Sequence, residues 1–262
     1  MTATDEDREQ INQIFQLLEL AEQWREWDWP SVERGSAMYG DNTKTNPHQI
    51  SHLFIQSTSA AIDHLHCLRN SMRGSGPDSL WVHIQAPFSL LRGAIENSST
   101  AMWLMAPASR QERVRRRLRY EWGSIKNVES FTEAGRFTER GGIERRKDRV
   151  LGLAVAAGID ARELKNKPQF SEIVADVGVA VDLVDDERNL PLLLWKLCSA
   201  VSHGDTWVLT TFDLERLGEL EPGVGAFNMT APVPLLWSGV KAATTMIALV
   251  HQKFAMQILV HR

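Results

Sequence analysis

The chain has 262 residues, 43% hydrophobic and 24% charged, with a formal net charge of −4. That is long enough for a substantial buried core and ordinary for a globular protein, and the mild acidity argues neither for nor against a nucleic-acid partner. The acidic, polar start (MTATDEDREQ), the absence of about 18 uninterrupted apolar residues and only two cysteines, Cys67 and Cys198, argue against a signal peptide, a membrane span and a disulfide framework.

These features lead us to expect a reduced, cytoplasmic protein with no membrane partner. We expect one all-α domain over residues 1–262, a bundle of about seven or eight helices with a few irregular connections.

In chain order, Asp5 to Trp29 reads as a first helix, with Thr4 or Asp5 as cap and an apolar stripe of Ile11, Ile14, Phe15, Leu18 and Ala21. Trp24, Trp27 and Trp29 follow closely and suit a satellite core, a pocket wall or a partner patch. Residues 31–45 read as a loop. Asn46-Pro47 marks a second helix start, running to about Arg73. On it His48 and His52, and again Asp63 and Cys67, stand one turn apart. Each pair could be half a metal site, but they lie about 22 Å from each other and cannot share one ion. With no compact ligand motif in the chain, no metal or cofactor is expected.

Gly74 to Pro77 reads as a turn and Asp78 or Ser79 as a cap. A third helix, Leu80 to about Ala106, carries Pro87 inside it, which predicts a kink or a break there. Arg92 and Glu96 pair at i, i+4 beside its apolar run. The fourth helix, from Pro107 or Ser109 to about Ala134, opens with six arginines in ten residues, RQERVRRRLR. Residues 110–149 hold 13 basic and 7 acidic side chains. This asymmetry makes Arg113, Arg115, Arg116, Arg117 and Arg119 candidates for nucleic-acid or other polyanion contact, against the plainer reading of a solvated charged face.

Residues 135–149 read as a connection or a weakly helical piece leading into Val150 to Ala157. After Pro168 comes a short helix, and VGVAVDLV is strand-like or irregular. Asp185-Asp186 or Asn189 then caps a helix over LPLLLWKLCSAVSHG, with Pro191 in its first turn and Gly204 as its stop. That spacing puts Trp195, Ser199 and His203 on one face. WVLTTF (207–212) reads as extended, 218–231 as a loop, and Pro232 to about Val260 as a helix apolar on most of its circumference, suited to a bundle centre or a subunit interface.

No GxSxG elbow, phosphate-binding GxxxxGK[ST] loop or GxGxxG motif occurs. Spacing allows Ser199 and His203 to pair, but side chains one turn apart rarely aim at each other well enough for nucleophile activation. What remains is a helix-lined pocket of Arg92, Glu96, Trp195, Ser199 and His203, in which His203 is either acid, base and hydrogen-bonding group or a satisfied capping histidine.

LLRGAIENSSTAMWL (90–104), RYEW (119–122) and LWKLCSAVSHG (194–204) together resemble a group of uncharacterised bacterial helical proteins allied to the HEPN superfamily. In that group an Arg-x-x-x-Glu helix is followed later by a Tyr-x-x-Leu-Ser-x-x-x-His-Gly helix. The matching positions are Arg92, Glu96, Trp195 in place of the tyrosine, Leu197 or Cys198, Ser199 and His203. The resemblance spans about residues 80 to 205. It implies a helical bundle, often dimeric, sometimes linked to toxin, defence or RNA-processing systems. The Arg-x4-6-His motif of active HEPN ribonucleases is missing, and the nearest arginine before His203 is Arg188.

The expected function is therefore a binding or interaction protein with a pocket around His203 and no standard active site, forming a homodimer through an apolar helix. Alternatives are an RNA-directed protein or HEPN-like nuclease on the Arg110–Arg119 face, and a small-molecule enzyme with His203 as general acid or base.

Overall fold

A computed structural model of the chain describes residues 5–74, 81–137, 141–185 and 188–260. The fold is mostly helical. In order come α1 (Asp5–Arg25), α2 (Ala37–Thr45), α3 (Ile50–Ser71), α4 (Ala86–Met105), α5 (Arg110–Ala134), α6 (Gly141–Ala156), α7 (Ala161–Leu164) and α8 (Phe170–Ala180). Then follow β1 (Val184–Asp185), β2 (Arg188–Asn189), α9 (Leu190–His203), a 3₁₀ turn (Thr206–Thr211), β3 (Asp213–Glu221), β4 (Val224–Thr230) and α10 (Val233–Ile258). Each strand pair is a small antiparallel sheet of its own.

The helix α4 is the centre of the bundle, with α3, α8, α9 and α10 packed around it and α1 lying across α3 and α10. Its sequence suits that place. Ser98, Ser99, Thr100 and Ala101 are small and buried, so neighbours approach closely. The Ser98 and Thr100 hydroxyls donate to the carbonyls of Ala94 (2.7 Å) and Glu96 (2.8 Å), which removes most of the cost of burying them. Phe88, Leu91 and Ile95 of α4 join Leu65 of α3, Leu194 and Val201 of α9, and Val240 and Ile247 of α10 in the main apolar cluster. A second cluster gathers Met38, Phe54, Trp103 and Phe254. A third, with Val114, Leu118, Val150, Ile159 and Leu164, holds α5, α6 and α7 together. By length and composition α10 is apolar enough to cross a membrane, and half of its most apolar stretch is buried in this bundle.

The structure corrects the sequence reading at several points. Ten α-helices and a 3₁₀ turn are present among the described residues, where about seven or eight helices were expected. The third helix begins at Ala86, so Pro87 sits in its first turn instead of its interior, and residues 81–85 are not helical. A proline lacks the N–H that a first turn leaves unused, and its ring excludes a helical residue four positions earlier. The expected caps at Thr4, Asp78, Ser79 and Asp186 lie outside the described residues.

Within the expected loop 31–45 the chain forms α2, where the Ser36 hydroxyl accepts from the Tyr39 N–H (3.1 Å). The second long helix starts at Ile50, beyond Asn46-Pro47. A continuous α6 covers much of the expected connection. VGVA belongs to α8, and only Val184–Asp185 is extended. Trp207 to Thr211 coil into the 3₁₀ turn, where Thr210 and Thr211 donate back to the carbonyls of Trp207 and Val208 (both 2.7 Å). The expected loop at 218–231 is largely the β3–β4 hairpin. Asn189, Pro191 and Gly204 act as expected on α9. Asn189 Oδ1 accepts from the Leu192 N–H (3.2 Å), and Gly204 closes the helix at φ +72°.

Candidate functional site

Arg92 and Glu96 stand one turn apart on α4, and Trp195 and His203 two turns apart on α9. The packing of α9 on α4 brings these four side chains together. Glu96 Oε1 accepts two hydrogen bonds, from Arg92 Nε (2.9 Å) and from the Trp195 indole N–H (2.8 Å). The Arg92 guanidinium lies 5.8 Å from the Trp195 ring centroid, within cation–π range. Its Nη1 donates across the helix junction to His203 Nε2 (3.1 Å). A guanidinium carries no acceptor, so this bond requires a neutral imidazole with its proton on Nδ1. Glu96 is largely buried and His203 exposed, which makes the cluster a ledge at the α4–α9 junction and not an enclosed chamber.

The fifth expected member, Ser199, is half-buried on the same face of α9 and makes no hydrogen bond with His203. Its neighbour Ser202 is the serine tied across the junction, to Ser89 Oγ (3.0 Å) and to the Cys198 carbonyl (2.7 Å). Burial pushes the Cys198 thiol up to about 12, which keeps it protonated and unreactive. The cluster thus supplies hydrogen-bonding groups and charge, with no activated nucleophile among these residues.

Tyr120, which the sequence reading quotes only within RYEW, belongs to this neighbourhood. Burial raises the Tyr120 phenol above its ordinary value, and the negative charge of Glu96 adds to that rise while Arg117 opposes it. Its position beside Glu121 on a helix facing α4 was the available signal. Glu121 is a buried hub, accepting from Arg117 Nη1 and Nη2 (3.1 Å each) and Arg146 Nη2 (3.0 Å), with His48 Nδ1 at 3.4 Å. Burial lowers His48 below the ordinary histidine value although Glu121 pulls the other way. Glu121 itself is lowered, because its cationic neighbours outweigh its burial.

The five arginines proposed from sequence for polyanion contact face protein groups. Arg113 is 4% exposed and grips the fully buried Asp41 carboxylate (Nε–Oδ2 2.6 Å, Nη2–Oδ1 3.1 Å) and the carbonyls of Pro107 and Ala108. Arg117 is 6% exposed, on Glu121. Arg116 bonds Glu112 (3.0 Å) and the Trp103 carbonyl (2.7 Å), with its guanidinium 4.8 Å from the Trp103 ring. Arg115 pairs with Glu112 and Glu163, and Arg119 donates to the Asn166 carbonyl (3.1 Å).

The histidine pairing considered for metals is not assembled. His48 turns to Glu121, His52 is exposed, and His66 is held by Glu22, Arg25 and Asn70. Among the described residues no group of three or more His, Cys, Asp or Glu side chains converges on a metal-sized site. Two sizeable concavities lie elsewhere. One, of about 780 Å³, opens between the α5 C-terminus and α6 beside Phe137 and Ile143. The other, of about 620 Å³, is lined by Trp29, Tyr39, Asn42, Gln49 and His52.

The Trp24, Trp27 and Trp29 cluster surrounds His251 of α10. Trp29 stacks on the imidazole at 5.1 Å and 14°, Trp24 at 5.7 Å and 23°, and Trp27 tilts against it at 4.5 Å. His251 completes the i, i+3, i+4, i+7 pattern of Ile247, Val250 and Phe254, and that spacing marks it as inward-facing.

No family model, no curated protein and no solved structure matches the chain.

Proposed function

We propose that this protein is a helical binding protein that recognises an anionic or carbonyl-bearing group of a small ligand on the α4–α9 ledge. The observation that carries this reading is the cross-helix bond from Arg92 to His203. It aims the guanidinium with Glu96 behind it, and it fixes the imidazole so that the Nδ1–H is the proton left to donate. Arg92 Nη2 has no protein partner among the described residues, so the guanidinium keeps a donor for an acceptor group of a ligand. Trp195 supplies an adjoining aromatic surface.

The test is thermal stabilisation across a panel of inorganic phosphate, a dicarboxylate and a nucleoside monophosphate. A stabilising compound should lose its effect in His203→Ala, while that variant unfolds at an unchanged temperature in the absence of ligand. Equal stabilisation of the variant and the parent would remove His203 from the site.

The RNA-directed reading draws less support, because each of the five candidate arginines on α5 already holds a carboxylate or a carbonyl of the fold. The HEPN-allied reading is supported by one feature, the meeting of Arg92 and Glu96 with His203. Catalysis by His203 as acid or base would need a substrate to break its bond with Arg92.

A further inference from the structure

The β3–β4 hairpin projects from the bundle. Every residue of β3 is exposed, and the hairpin carries five exposed large apolar side chains, Leu214, Leu217, Leu220, Val224 and Phe227. Its main anchor on the core is Met229, together with the chain ends at Phe212 and Ala231. An isolated two-stranded hairpin is marginal in water, and stability comes with a third or fourth strand and one apolar face.

The two edges of this hairpin are chemically different. β3 (DLERLGELE) bears Asp213, Glu215, Glu219 and Glu221 against a single Arg216. β4 (VGAFNMT) bears no charge and no proline. Charged side chains block edge-to-edge pairing, whereas a neutral strand rich in β-formers leaves its edge open. The register puts Leu214 opposite Met229 and Arg216 opposite Phe227, so Phe227, Met229 and Leu214 share one face.

We infer that β4 is a dimerisation edge, and that its occupant is β4 of a second copy of this chain. Two hairpins joined antiparallel through β4 form a four-stranded sheet with the acidic β3 strands outermost. There four like charges per strand stay apart instead of facing each other, and they protect the new edges from further addition. A β3–β3 union would set those carboxylates against their own copies. The arrangement is isologous, so it closes at two copies. Of the five exposed apolar side chains only Val224 and Phe227 lie on β4, so the union is made mainly of backbone hydrogen bonds and falls short of the roughly 1,200 Å² of the smallest stable interfaces, which points to weak, micromolar association.

The test is sedimentation velocity of the full chain from 1 to 200 µM (about one decade either side of the expected constant). The parent should pass from monomer to dimer. Ala226→Lys with Asn228→Lys should raise the dissociation constant roughly 10- to 30-fold. An antiparallel pairing centred on Phe227 sets residue 226 of one copy against 228 of the other, so the new lysines repel across the edge. Within one copy Asn228 faces Glu215, so the same change supports the hairpin itself. Far-ultraviolet dichroism confirms that the variant keeps its helices. Amide exchange on β4 should slow with rising concentration in the parent alone. A parent that is monomeric to 200 µM, or a dimer that survives the two lysines unweakened, would overturn the inference.

Discussion

At the scale of single residues the clearest consequences come from buried polar groups. His251 is 7% exposed, between tryptophans, and its burial lowers it to about 4, below the ordinary histidine value of 6.5. Between those values the unfolded chain binds a proton that the folded chain refuses, so stability rises with pH across that window and falls as pH drops through it. The loss from pH 7 to pH 4 should reach roughly 3 kcal/mol, read as a lower urea midpoint, and His251→Phe should flatten this component while keeping the ring stack. Asp41 and Arg113 are a second case. With its carboxylate fully buried, Asp41→Ala strands the Arg113 guanidinium and should cost about 3–5 kcal/mol in denaturant titrations. Asp41 is not conspicuous in the sequence. It lies in what reads as a polar loop, and only the docking of α2 on α5 makes it a core residue.

At the scale of elements, local rules do well where they act within one or two turns. Asn189 and Gly204 bound α9 as their chemistry requires. No neighbouring atom lies within 4 Å of a Cβ placed on Gly204, so Gly204→Ala isolates the cost of the left-handed conformation. That cost should be about 1 kcal/mol by chemical denaturation, with no change in the helix packing. Pro87 was read at the right place with the wrong consequence, because a proline inside an apolar run and a proline at a helix start look alike until the upstream residues are placed. The hairpin was hidden for a related reason. Gly218, Gly223 and Gly225 are loop-like by composition, and strand pairing with a bulge between Arg216 and Gly218 accommodates them.

At the scale of the molecule the three apolar clusters predict a gradient of local stability. Both α6 and α7 pack on α5 and on each other, while α3 and α4 are enclosed by several helices. Native-state hydrogen exchange should therefore show α6 and α7 opening at lower free energy than α3 and α4. Uniform protection across the two regions would show that the α5–α7 cluster unfolds only with the core. The acidic hairpin and the α4–α9 ledge are separate surfaces, and the lysine and His203 variants test them independently.

What the sequence by itself determined is the helical class, the order of the long helices, the stop of α9 at Gly204, and the company of Arg92 with Glu96. These depend on periodicity, caps and i, i+4 spacing, which are local and survive any tertiary arrangement. Only the tertiary structure decided which charges are internal. A run of six arginines reads as a basic face until Asp41, Glu163 and the carbonyls of Trp103 and Asn166 arrive from other parts of the fold to take its donors. The same holds for the ledge. Periodicity aligns Trp195 and His203 on one helix and Arg92 and Glu96 on another, but the sequence separation of 111 between Arg92 and His203 is closed by packing alone.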